Sequence, residues 1–238
     1  YYIELFRAYD ALQQPLQVIE TLETALTFAP ENSQLHGWMG YCYIQLNKIE
    51  LAKKSCQTAI NHDPDNLFAL SSLGYILGEE GQYLKAIDLL EKVIDKDPGD
   101  NLVLYNLGCY YLQENRGHNA MSVFEQILIK DPDDSGARLN IALTYYQLDQ
   151  ATRAKSILCD LLDSIDTESV QGVMDLVTIH LGLEQHDHAI STLCKAYETF
   201  DDIITVRESA ARDWQILQNA PHPPKGIDLF FNYLKDMD

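Results

Sequence analysis

Residues 101–134, NLVLYNLGCYYLQENRGHNAMSVFEQILIKDPDD, hold one complete copy of a unit that the chain repeats. Leu104, Leu107, Gly108 and Tyr111 form a first apolar run, and Ala120 and Phe124 belong to a second that closes before Pro132. Apolar residues return every three or four positions in each run, and a polar break separates the two. That pattern predicts two amphipathic helices joined by a short turn. Pro30, Pro64, Pro98 and Pro132 stand 34 residues apart and set the period.

Working outward, residues 1–32 read as a partial first repeat carrying Leu5, Tyr9, Leu22, Ala25 and Pro30, with Pro15 in the first turn of its second helix, where the missing N–H costs little. Residues 33–66 and 67–100 form the second and third repeats, and 135–168 the fifth, in which Asp166 stands where proline is expected. A sixth, degenerate pair at 170–203 aligns after a one-residue insertion, through Val173, Leu176, Val177, His180, Ala189, Leu193 and Ala196. Gly40, Gly74 and Gly108 in first helices, and Ala52, Ala86, Ala120, Ala154 and Ala189 in second helices, fall where two helix axes must approach closely. Between repeats, HDPDN, KDPGDN and KDPDD end one helix with proline and offer Asp65, Asn66 or Asp100 to cap the next. These aspartates lack the spacing of a calcium loop. Residues 204–219 read as a capping helix with Trp214 and Leu217 on its apolar side. Residues 220–238 read as a proline-rich linker and a short apolar C-terminal helix.

A helix pair repeated every 34 residues, with Leu-Gly, Tyr, Ala, Phe and Pro at these offsets, resembles the tetratricopeptide repeat (TPR) family. The resemblance implies an all-α fold, a right-handed superhelical solenoid of helix-turn-helix repeats with a C-terminal capping helix. It also implies a concave groove lined by the non-core positions of successive first helices. Those positions include Trp38, Tyr41, Phe68, Tyr75, Tyr105, Asn106, Asn140, Leu143 and Tyr146, an aromatic and amide-rich set suited to a peptide or a helix. Asn106 and Asn140 stand one period apart and are spaced to bond an extended partner, whereas some of the aromatics are of the kind that packs between repeats. Family members that grip acidic chaperone C-termini use a basic clamp. The matching faces here offer only Arg7 and Arg138, which disfavours that role.

Composition narrows the partner. The 36 acidic against 17 basic side chains give a formal charge of −19, which opposes nucleic acid and anionic lipid and favours neutral or basic protein partners. No apolar run approaches the ~20 residues of a membrane span. Five cysteines without a C-x-x-C pair indicate a reducing, cytoplasmic compartment, with Cys56 as a small core residue at the place of Phe124. The chain opens on Tyr1 inside a helix-like pattern and reads as a fragment of a longer protein.

No phosphate loop, G-x-S-x-G or H-E-x-x-H is present. His180, His186 and His188 read as structural or surface residues rather than a metal centre, and no cofactor is expected. The expected function is a non-enzymatic protein-interaction module: a scaffold, chaperone or adaptor of the kind found in bacterial secretion or assembly. Two alternatives stand beside it. One is the substrate-recruiting region of a larger glycosyltransferase-like or phosphatase-like enzyme. The other is a self-assembling scaffold in which residues 226–238 dock into another copy.

Overall fold

The computed structural model describes residues 15–165, 167–200 and 203–237, and the described residues are helical with no strands. Leu5, Arg7, Tyr9 and Asp166 lie outside the described residues. The helices are α1 (Pro15–Phe28), α2 (Ser33–Gln45), α3 (Ile49–His62), α4 (Leu67–Glu79), α5 (Tyr83–Lys96), α6 (Asn101–Gln113), α7 (Gly117–Lys130), α8 (Ser135–Gln147), α9 (Ala151–Leu162), α10 (Val170–Gly182), α11 (His186–Thr199), α12 (Ile203–Gln218) and α13 (Ile227–Met237). The chain divides into two compact units, residues 1–110 and 111–238, and the division falls inside α6.

The two kinds of turn between helices are built by different side chains. Before each first helix, one residue closes the turn on the free N–H groups: Asn32 accepts from Leu35, Asn66 from Ala69, Asp100 from Leu102 and Val103, Asp134 from Ala137, and Ser169 from Gly172. The aspartates before Pro64, Pro98 and Pro132 make a second bond, with Asp63, Asp97 and Asp131 accepting from the amides of Asp65, Gly99 and Asp133. Asp65 is not a cap; its carboxylate lies 2.5 Å from the Lys96 ammonium. Inside each pair, a left-handed residue ends the first helix: Asn47, Gly81, Asn115, Asp149 and Glu184, with φ between 54° and 74°. The following amide reaches back to close a Schellman turn, as from Lys48 to the Tyr43 carbonyl and from Gln82 to that of Leu77, both at 2.8 Å. Asn, Asp and Gly tolerate this backbone; Glu184 is the exception, and its carboxylate is held by Lys155 at 2.9 Å.

In the first unit, α2 packs on α3 and α4 on α5, and each pair meets at a missing side chain. A Cβ on Gly40 would collide with the Cys56 sulfur, and one on Gly74 would stand 2.6 Å from Leu90 Cδ2. Ala52 and Ala86, on the opposing helices, are wholly buried. Cys56 is fully buried as well, and desolvation pushes its thiol up to about 12, so it behaves as a core residue. Against α2, helix α1 contributes Val18, Ile19, Leu22 and Ala25 to one cluster with Leu35, Trp38, Met39 and Cys42.

The second unit repeats this pairing with α8 on α9 and α10 on α11, and Ala120, Ala154 and Ala189 are all wholly buried. Helix α12 then makes its main contacts with α10 and α8 rather than with α11, so it lies across first helices instead of continuing the pairing. Helix α13 packs on α11 and α12, with Ile227 and Phe230 buried and the Phe230 ring edge-on to Trp214 at 5.0 Å. Of the two readings the tail's apolar side allows, folding back on the final repeat or docking on another copy or a partner, Ile227 and Phe230 follow the first, and Leu229 remains exposed.

Because Leu90 stands where any side chain on Gly74 must go, Gly74→Leu is expected to destabilise the protein by about 1–3 kcal/mol through overpacking. Urea unfolding measures the loss, and hydrogen exchange should locate the first loss of protection in α4 and α5.

Candidate functional site

The first helices of the first unit line an open cavity of about 340 Å³, to which Leu90 of α5 also contributes. Tyr41, Ile44 and Gln45 line it from α2, Phe68, Ser72 and Tyr75 from α4, and Leu102, Val103 and Asn106 from α6. The Tyr41 and Phe68 rings meet edge to face at 5.4 Å and form one wall. Phe68 and Tyr75 are each 37% exposed and Leu102 is 69% exposed, so apolar surface faces solvent in a contiguous patch. Asp100 is the charged residue of the lining, and its Oδ1 accepts the amides of Leu102 and Val103 at 3.0 and 3.1 Å. Among the described residues, no lysine, arginine or histidine lines the cavity.

The structure brings together four of the residues singled out by sequence, Tyr41, Phe68, Tyr75 and Asn106, and adds Leu102, which stands at the phase of Phe68 one repeat later. Leu102 was missed, although adding 34 to Phe68 finds it. Tyr105 is half-buried on α6 and does not line the cavity. Trp38 is not a groove residue; α1 packs over it and makes it part of the core.

Three expected groove residues of the second unit are also buried. Asn140 is 2% exposed and its amide donates to the Gly136 carbonyl of its own helix at 3.0 Å, so it presents no rung to an extended ligand. Leu143 is wholly buried on the same helix, and Leu139 beside it is buried too. Tyr146 packs between repeats, donating its hydroxyl to the Gly182 carbonyl of α10, and burial pushes its phenol up. The reason for the first two lies far away in sequence, since α12 rests on α8 and α10. Trp214 is fully buried there, and its indole N–H donates to Thr178 Oγ1 at 3.0 Å. The periodic alignment puts Thr178 at the phase of Tyr75 and Leu143, which is the groove phase. In the second unit the groove face is thus covered by its own chain.

Two further features lie beside α12. A cavity of about 280 Å³ is walled by the side-chain amides of Gln113, Asn115, Gln147, Gln215 and Asn219 together with Leu112 and Ile216. Gln147 donates to the Leu112 carbonyl at 2.8 Å, while its buried oxygen has no hydrogen-bond partner among the described residues. Asp213 of α12 loses hydration and faces the Asp175 carboxylate of α10; these effects, opposed by Arg212, push it up to about 7. Desolvation also raises Asp175, against the Gln171 amide that donates to it at 2.8 Å. His180 pairs with Gln185 and stacks on His188, and among the described residues no group of three His, Cys, Asp or Glu is placed to hold a metal ion.

An acid whose folded-state value is raised destabilises the fold as pH climbs from the ordinary aspartate range near ~4 towards 7. Asp213→Asn removes that liability. Its melting temperature is expected to match the parent's near pH 4 and to exceed it at pH 8, and thermal melts at the two values check this.

No curated protein matches the chain. Among solved structures, a tetratricopeptide repeat protein from Parabacteroides merdae is similar with a TM-score of 0.67 and 17% identity, over 97% of this chain and 96% of that one. PilW, described as a widely conserved type IV pilus biogenesis factor, gives a TM-score of 0.67 and 17% identity over 87% and 96%. YrrB, a TPR protein with an unusual peptide-binding site, gives 0.58 and 16% over 81% and 99%. At these identities the likeness concerns the fold. Tetratricopeptide repeat models match residues 9–73 and 111–174, and another matches 68–100. Since the matched segments cover more than half of the sequence, the chain belongs to the tetratricopeptide repeat family.

Proposed function

We propose that the chain is a non-enzymatic protein-interaction module whose first unit holds a peptide or helical segment of a neutral or basic partner. The observation that carries this reading is the open cavity of about 340 Å³, walled by Tyr41, Phe68, Tyr75 and Leu102 and bearing Asp100 as its charged group. Exposed rings and an exposed leucine around one concavity are the composition of a binding hot spot, because they offer apolar area that is already ordered. A negatively charged chain with no basic group among the described lining residues disfavours nucleic acid and acidic peptide tails. No described helix is long and apolar enough to cross a membrane.

The setting we propose is the assembly of a larger bacterial machine, a reading supported by the fold likeness to PilW, a pilus biogenesis factor. A cytoplasmic, reducing compartment is part of the same proposal. It is supported by the five cysteines, none of which is in a disulfide.

The immobilised chain, compared with a folded Phe68→Ala/Tyr75→Ala/Asn106→Ala variant, tests the placement of the site. A protein retained by the parent and lost by the variant is the expected result. Each aromatic truncation alone should weaken binding of that protein by on the order of 2 kcal/mol in a titration. Equal retention by parent and variant would remove this groove from the account.

A further inference from the structure

We infer that the open groove of the first unit takes an amphipathic helix of a protein partner, neutral or basic along its polar edge, and not an extended strand. This rests on the reading of that groove as a protein-binding site. The second unit supplies the template, because there the same chain has covered the corresponding face with a helix of its own. Helix α12 lies on α8 and α10 and buries Ala210, Trp214 and Leu217, which stand at i, i+4 and i+7 on one side. Its anchor, Trp214, bonds Thr178 at the phase that Tyr75 holds in the first unit.

Among the described residues, no helix covers that phase in the first unit. Phe68, Tyr75 and Leu102 are partly or largely exposed around the cavity, while Leu139 and Leu143 on the α12-covered face are buried. Hydrogen bonding then separates a helix from a strand. An extended segment leaves its backbone N–H and C=O groups to be satisfied by the groove, whereas a helix satisfies its own. The lining is mainly ring and aliphatic surface, and its polar groups, the Asn106 and Gln45 amides and the hydroxyls of Ser71, Ser72, Tyr41 and Tyr75, are scattered over three helices rather than aligned as a backbone edge. Charge sets the polar edge: Asp100 is the charged group among the described lining residues, and it favours lysine or arginine there and repels acidic residues.

Two display libraries selected against the full chain test the inference. One randomises the face of a rigid helical hairpin, and the other randomises the same number of positions in linear 16-residue peptides interrupted by two prolines. Binders are scored as groove-dependent when they lose at least ten-fold in affinity on Phe68→Ala/Tyr75→Ala and on Leu102→Glu. The second variant is at an exposed position, so it guards against a folding defect in the first. Groove-dependent binders are expected from the helical library only, with Lys and Arg enriched over Asp and Glu at least two-fold on the polar edge. Groove-dependent binders from the proline library alone would overturn the helix while leaving a protein-binding groove, and enrichment of acidic residues would overturn the charge assignment. Groove-dependent binders from neither library would overturn both this inference and the function it rests on. If light scattering finds a dimer that Leu102→Glu converts to a monomer, the occupant is a second copy and the separate partner is refuted.

Discussion

Two helices can lie against each other only as closely as their bulkiest facing atoms allow, and in this chain that distance is set by what glycine and alanine lack. Gly40 faces Cys56 and Gly74 faces Leu90 with no room for another carbon, while Ala52, Ala86, Ala120, Ala154 and Ala189 are all completely buried. Glycine in a helix costs about 1 kcal/mol against alanine, so the close approach must return more than that in packing. Everything else follows from the approach. Two helices pressed together in this way expose one face of the first helix, and a row of such faces makes a surface whose chemistry can vary without disturbing the seam.

The turns hold the seam in register by dividing labour between side chain and backbone. Where one pair hands on to the next, an aspartate, a proline and a capping Asn or Asp end one helix and start another. Within a pair, a left-handed residue does the work with backbone bonds alone. Glu184 takes the left-handed place in the sixth pair, where Asn, Asp or Gly stand in the others, and its carboxylate is tied to Lys155 and to the amide of Lys225.

The fold was legible because its determinants are local and periodic: helix ends, caps and the small residues recur with the period and need no knowledge of distant packing. The groove was legible only in part. Tyr41, Phe68, Tyr75 and Asn106 could be placed by phase, and Leu102 could have been found by the same arithmetic. Trp38, Asn140 and Leu143 share those phases, yet they are buried. What buries them comes from elements outside the repeat rule: α1 packs over Trp38, and α12 lies across α8 and α10. Tyr146 illustrates a third case, in which a ring at a groove-like position turns to the next first helix and bonds the Gly182 carbonyl. Phase tells where a side chain starts, and the neighbours decide whether solvent ever reaches it.

The covering of the α8–α10 face by α12 bears on stoichiometry. An array of similar rungs would ordinarily offer several overlapping registers to a ligand, which could then slide or bind in multiple copies. With Trp214 seated against Thr178, that face of the second unit is closed among the described residues, and the open aromatic cavity belongs to the first unit. On the function proposed above, a chain made of repeats thereby offers its partner one register on the described first helices rather than several.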